Sequence, residues 1–175
     1  MARLIKFFAL LLFAVSCPSF AALRGNIDYT IPIEYKNLSE AELEAKAEVF
    51  YNSALKTTDG KLNENITQSL VLYNALSRKN PENIIYALRA GSLYDLIGKD
   101  RYAKGCYCRA MGVDSSRPEP YFYMGEFYYK RQLYRRALKM YKRAYEHGYS
   151  NHPQTVLRLK QLYLMLDDKE SRAKI

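Results

Sequence analysis

The chain has 175 residues, 49% of them hydrophobic and 26% charged, with a formal net charge of +9. That apolar fraction excludes a disordered tail, and the length admits one domain or a short array of repeats. Tyrosine is abundant, at 17 residues, tryptophan is absent, and the basic excess is concentrated in the C-terminal half.

Residues 1–21 read as an export signal. Arg3 and Lys6 supply a positive start, Phe7 to Val15 is an unbroken apolar run, and Ser19-Phe20-Ala21 is a small-x-small pattern that places the cut after Ala21. The run is too short to remain as a bilayer-spanning helix. Cys17 offers a second route. It follows Ala14-Val15-Ser16, which resembles the lipobox of bacterial lipoproteins, although Ala14 stands where leucine is usual. A lipidated Cys17 would tie the chain to a membrane. Both routes lead out of the cytoplasm, to a periplasmic protein or to a membrane-attached lipoprotein.

Residues 22–38 hold no clear period. Ile27, Tyr29, Ile31 and Ile33 alternate with polar residues or Pro32, so a linker, a short extended segment or an arm along the first helix is expected. Ser39 followed by Glu42 is a capping box, and Glu40, Glu42 and Glu44 suit the positive end of a helix dipole. Leu43, Ala47, Phe50, Tyr51 and Ala54 then form one apolar face, up to turn chemistry at Thr58-Asp59-Gly60. A second helix begins around Asn63 to Asn65, buries Ile66, Leu70, Tyr73 and Leu76 or Ser77, and ends at Asn80-Pro81.

Four helices follow over about 83–97, 100–112, 118–131 and 134–147, divided at Gly98-Lys99, at 113–117 and at Gln132-Leu133. Gly148 suits a C-cap. Pro153 opens a seventh helix carrying Val156, Leu159, Leu162, Tyr163 and Leu166, which Asp167-Asp168 closes before a short charged tail. Cys106 and Cys108 fall two apart on the fourth helix and point to nearly opposite sides. They read as small semi-buried residues, or as a covalent link to a partner or a second copy.

Within this region Gly91, Tyr94, Ala103, Tyr107 and Ala110 recur as Gly125, Tyr128, Ala137, Tyr141 and Ala144, all at an offset of 34 residues. A small or aromatic residue repeated at one fixed offset marks stacked helix pairs. The pattern resembles the tetratricopeptide repeat family, whose unit is a pair of antiparallel helices. Residues 84–117 and 118–151 carry the signature. Residues 39–83 form a divergent first unit in which Ser69, Tyr73, Leu76 and Pro81 match only in the second helix. Residues 152–175 supply a capping helix and tail. The resemblance implies an all-α fold, a right-handed superhelical array of about three repeats plus a C-terminal capping helix. Gly91 and Gly125 would admit close helix contact, Ala103 and Ala137 would do the same from the facing helix, and Tyr107 and Tyr141 would fill gaps between units.

No catalytic constellation is present. His147 and His152 lie in a region expected to be a solvated loop, no metal-ligand set surrounds them, and Gly98-Lys99 lacks the other residues of a phosphate-binding loop. The expectation is a non-enzyme with no cofactor and no metal. The resemblance instead implies a concave groove lined by the first helix of each unit. Residue by residue this names Leu88, Arg89, Ser92 and Asp95, then Phe122, Tyr123, Glu126, Tyr129 and Lys130, then Leu157, Arg158 and Gln161. Such a mixture suits an extended peptide or a helix, or is plain solvated surface. The subgroup that clamps C-terminal carboxylates has Lys and Asn where Leu88 and Ser92 stand here, which puts that activity in doubt.

A basic run, Lys130, Arg131, Arg135, Arg136, Lys139, Lys142 and Arg143, contains no acid and falls mostly on the outer side of the sixth helix. It is a solvated face, or a field that attracts acidic partners or an anionic membrane surface. Nucleic acid is not expected behind an export signal. The leading expectation is an adaptor of the bacterial envelope that holds a protein segment, for assembly of a secretion, pilus or other envelope complex. The alternatives are a lipoprotein anchored through Cys17 whose basic face docks on membrane or anionic polymer, and a secretion-system chaperone.

Overall fold

A computed structural model describes residues 30–56 and 63–166. The export signal, Cys17, the Thr58-Asp59-Gly60 turn and Asp167-Asp168 lie outside these residues. Among the described residues seven α-helices follow in order: α1 (Glu40–Lys56), α2 (Glu64–Lys79), α3 (Ile84–Leu96), α4 (Asp100–Val113), α5 (Glu119–Lys130), α6 (Tyr134–Glu146) and α7 (Pro153–Met165). The pairs α1/α2, α3/α4 and α5/α6 pack most closely, and α2/α3, α4/α5 and α6/α7 join successive pairs. The result is a solenoid of antiparallel helix pairs, with no strand among the described residues.

Local chemistry sets the boundaries. The Ser39 amide donates to Glu42 Oε2 at 2.8 Å and the Glu42 amide donates back to Ser39 Oγ at 3.3 Å, closing the capping box. Glu40 and Glu44 do more than face the helix dipole. Glu40 accepts from Asn80 Nδ2 at 3.2 Å and from the Tyr86 hydroxyl at 3.0 Å, and Glu44 accepts from Tyr86 at 3.3 Å, which ties α1 to the next unit. Asn63 caps α2 through the Ile66 amide. Before α1, residues 33–35 form a 3-10 turn where an extended segment was possible, and Tyr35 and Leu38 pack on the core.

The turns after α3 and α5 are equivalent. In each, a backbone N–H reaches the carbonyl five residues back, Lys99 to Tyr94 at 2.8 Å and Leu133 to Tyr128 at 3.0 Å. Each needs a left-handed residue one place earlier. The first uses Gly98 at φ +69°; the second uses Gln132 at φ +58°.

Gly91 and Gly125 occupy equivalent places in successive pairs. A Cβ on Gly91 would sit 2.6 Å from Tyr107 Cε1, and one on Gly125 would sit 2.8 Å from Tyr141 Cε1. Tyr107 and Tyr141 therefore pack first inside their own unit, over the glycine of the partner helix, and not simply between units as expected. Tyr107 then reaches on to Tyr123 and Phe127 of the following unit, with ring centroids 6.0 and 6.2 Å away. Ala103, Ala110, Ala137 and Ala144 are fully buried beside them.

α2 is buried around most of its circumference, because α1 covers one side and α3 the other. The stripe expected from periodicity is there, joined by Ser69, Val71, Leu72, Asn74 and Ala75. A main core runs from α1 to α5, and a smaller one joins Ala137 and Tyr141 of α6 to Leu159, Leu162 and Tyr163 of α7.

Candidate binding face of the first helices

The first helices of the pairs, α1, α3 and α5, continue into α7, and the side chains between them form a repeated device. Glu48 Oε1 of α1 accepts from the Tyr73 hydroxyl at 2.7 Å and from Arg89 Nε of α3 at 2.9 Å. The Arg89 guanidinium lies 4.5 Å from the centroid of the Tyr51 ring. Two units on, Glu126 Oε1 of α5 accepts from the Tyr141 hydroxyl at 2.6 Å and from Arg158 Nε of α7 at 2.9 Å, and Arg158 lies 4.0 Å over Tyr129. The same four roles, carboxylate, buried phenol, neighbouring arginine and aromatic floor, thus recur at both outer junctions.

The middle junction uses a different arginine for the same purpose. Ser92 stands where the outer units have Glu48 and Glu126, so no carboxylate is available on that turn of α3. Instead Arg131, just past α5, donates to Asp95 Oδ1 at 2.7 Å and pairs with Asp100, while its guanidinium covers Phe127 at 3.7 Å. Lys130 adds a second bond to Asp95 at 2.8 Å. Asp95 retains only 5% of its side-chain exposure, and two cations make that burial tolerable.

The charge states follow from these contacts. Burial raises the Glu126 carboxyl, but the hydrogen bonds from Arg158 and Tyr141 outweigh it and hold the group below its ordinary value. The Tyr141 phenol is pushed far up, first by burial and then by its bond to the Glu126 carboxylate, and Tyr73 behaves likewise beside Glu48. The Arg131 bond to Asp100 pulls that carboxyl down. On the buried side of α4, loss of solvent pushes the Cys106 thiol up to about 12, so it is an inert packing residue; Cys108 is half-buried and not bonded to it.

Most of the residues expected to line a groove share this face. Ser92 bonds the Tyr51 hydroxyl at 2.8 Å, Gln161 accepts from Tyr129 at 3.3 Å, and Tyr123 stacks on Tyr107. Phe122 lies against Tyr141 and His152, with centroids 6.0 and 4.9 Å away. Leu88 is a correction, since at 2% exposure it belongs to the core and no ligand can reach it. Arg131 is another. It is a brace between units and not part of a free basic surface. The remaining patch residues, Arg135, Arg136, Lys139, Lys142 and Arg143, have no carboxylate within ion-pair distance among the described residues.

Glu48, Tyr51 and Tyr73 of the first unit were missed as site residues. The signal was present, because Glu48 and Tyr51 stand three apart as Glu126 and Tyr129 do, but the long loop of the divergent unit hides the register. His152 also departs from expectation. Its Nδ1 accepts from the Thr155 amide at 3.3 Å and caps α7, and its ring stacks on Tyr149 at 4.4 Å. Among the described residues, no His, Cys, Asp and Glu group is arranged to hold a metal ion, and no helix is long and apolar enough to cross a membrane.

No protein-family model matches the sequence, and no curated protein matches it. Solved structures do. The first tetratricopeptide repeat domain of Spaghetti (RPAP3), solved bound to the HSP90 peptide SRMEEVD, is similar at TM-score 0.55 and 20% identity, over 70% of this chain and 97% of that one. A chain of the CopN–Scc3 complex is similar at TM-score 0.54 and 17% identity, over 86% of this chain and 85% of that one. The repeated glycine–tyrosine contacts, the paired helices and these likenesses together establish a tetratricopeptide-repeat-type fold.

Proposed function

We propose that the protein is a non-catalytic interaction scaffold that holds a segment of another protein against the face built by α1, α3, α5 and α7. The observation that carries this reading is the row of half-buried polar and aromatic groups on that face: Arg89, Ser92, Tyr123, Glu126, Tyr129 and Arg158. Their rotamers are set by bonds to one another, so a ligand would meet a pre-organised surface at small entropic cost. Each arginine is already matched by a carboxylate. The face therefore favours a segment that offers aromatic or aliphatic side chains and backbone amides over one led by a free carboxylate. Likeness to a domain solved with a peptide and to a chain of a two-protein complex supports a protein as the ligand.

Residues 1–21 extend the proposal to the bacterial envelope, where the scaffold would serve assembly of a secretion, pilus or related complex. The test places a photo-crosslinking amino acid at Tyr123 in the producing cell and identifies the adducts. One dominant envelope protein, lost on Glu126→Ala and Arg158→Ala, is expected. Adducts that are absent, or indifferent to both substitutions, would remove the groove from consideration. Mass spectrometry of the mature N-terminus decides the route separately, with Ala22 first for signal cleavage and acylated Cys17 for lipidation.

A further inference from the structure

The three buried phenols behind the first-helix face are not treated alike. Tyr73 and Tyr141 each donate to a carboxylate on the helix in front, Glu48 at 2.7 Å and Glu126 at 2.6 Å. Tyr107 stands 34 residues before Tyr141, and its ring lies over Gly91 as that of Tyr141 lies over Gly125. Its hydroxyl therefore ends where a third carboxylate would stand. The residue in that place, 34 before Glu126, is Ser92.

Ser92 is too short to serve, and it is engaged elsewhere. Its hydroxyl donates to the Arg89 carbonyl at 2.9 Å and shares a bond with the Tyr51 hydroxyl at 2.8 Å. The Tyr107 hydroxyl has no hydrogen-bond partner among the described residues, although Tyr107 is only 1% exposed. A buried phenol ordinarily finds an acceptor, and one without it is a standing cost to the fold. Burial pushes the Tyr107 phenol far up, with Asp95 adding to the effect, so the group keeps its proton and stays a donor. Tyr123 stacks on Tyr107 with ring centroids 6.0 Å apart, and Arg89 lies beside both Tyr51 and Tyr123. Arg89, Ser92 and Tyr123 are half-buried, so the place is approached from the groove.

We propose that the middle junction is a subsite for an amide carbonyl of the partner segment, which accepts from the Tyr107 hydroxyl as the carboxylates accept from Tyr73 and Tyr141. The inference rests on the groove reading above and names what the bound segment offers at its centre. Charge selects a neutral acceptor. Among the described residues the cations at this junction are already matched, Arg89 with Glu48 at 2.9 Å and Arg131 and Lys130 with Asp95 at 2.7 and 2.8 Å. An incoming carboxylate would be desolvated in the field of Glu48 and Asp95 with no cation of its own. An amide carbonyl accepts strongly and carries no net charge to desolvate.

The test titrates three probes into the full chain with tyrosine carbon-13 labelled at the ring ζ position. N-methylacetamide stands for a backbone carbonyl, propionamide for an Asn or Gln side chain, and acetate is the carboxylate control. The Tyr107 resonance is the one absent from Tyr107→Phe. An amide is expected to move it saturably and to bind about tenfold more tightly than acetate, and the tighter of the two amides names the source. Ser92→Glu, which restores the carboxylate of the outer junctions, is expected to weaken the amide about tenfold with unchanged circular dichroism. In the free chain Tyr141→Phe should lower the urea midpoint, while Tyr107→Phe leaves it unchanged. Equal losses in those two variants mean that Tyr107 already has an acceptor, and they overturn the proposal. A Tyr107 resonance that no amide moves, that acetate moves as readily, or that responds alike in Ser92→Glu overturns it too. These readouts need no partner protein, so the subsite and the groove reading tested by crosslinking at Tyr123 can fail separately.

Discussion

Tyr107 lies so close over Gly91 that a single added methyl group would come within 2.6 Å of its ring and within 3.1 Å of Cys106 Cβ. Tyr107 is 1% exposed and walled in by Tyr123 and Phe127, so the ring cannot step aside. Gly91→Ala is expected to cost about 1–3 kcal/mol through overpacking, and Gly125→Ala a similar amount. Gly112 is the control. It lies in α4 with nothing within 4 Å, and Gly112→Ala should stabilise by about 0.5 kcal/mol. Urea melts of the three variants check the opposite signs; a loss at Gly112 as large as at Gly91 would contradict the packing account.

Gln132 holds the left-handed position that Gly98 holds one unit earlier. A side chain with a Cβ is strained there, and glycine is not. Gln132→Gly should therefore raise stability by about 0.5–1 kcal/mol although it removes a side chain, while Gly98→Ala should lower it by a similar amount. Thermal unfolding of both variants provides the check.

The Glu126–Arg158 pair predicts an acid-sensitive attachment of α7. Because the folded state holds the Glu126 carboxyl below its ordinary value of 4.5, the unfolded chain takes up the proton first. Its contribution is complete at neutral pH and is lost as pH falls below 4.5 and through the lower folded value. Glu126→Gln should be less stable than the native chain at pH 7 and should approach it near pH 3. Fluorescence-detected urea melts at both values measure the difference, and a gap that does not narrow would remove the carboxylate from this role.

Arg131 braces α3, α4 and α5 at once. Arg131→Ala leaves the buried Asp95 with Lys130 alone and should cost about 2 kcal/mol. Lysine should recover less than half, because one ammonium cannot replace a fork that reaches two carboxylates and covers Phe127. Calorimetry of the two variants distinguishes this from a simple loss of charge, for which lysine would recover nearly everything.

The paired helices were legible because glycine, alanine and tyrosine recur where helices touch, and close contact admits few residue types. The capping box at Ser39 and the opening of α7 at Pro153 were legible for the same reason, since each is local chemistry. The ion pairs were not. Glu48 with Arg89 and Arg131 with Asp100 join residues 41 and 31 apart, and no short-range pattern announces a partner that far off. Leu88 was misplaced because the resemblance assigns it a groove position while its own neighbours enclose it. His152 was read as loop because a histidine cap has no common signature, unlike serine or asparagine.

Among the described residues contacts run almost wholly within helix pairs and between neighbouring ones, and one arginine rivets each seam. Such an assembly need not melt as one body. Among the described residues α7 rests on α6 and is held to α5 mainly through Arg158 and Gln161, so amide exchange should begin there and travel inward, leaving α3 and α4 the last to open. A cell could thus loosen one end of the stack, by acid or by salt, while the rest stays standing.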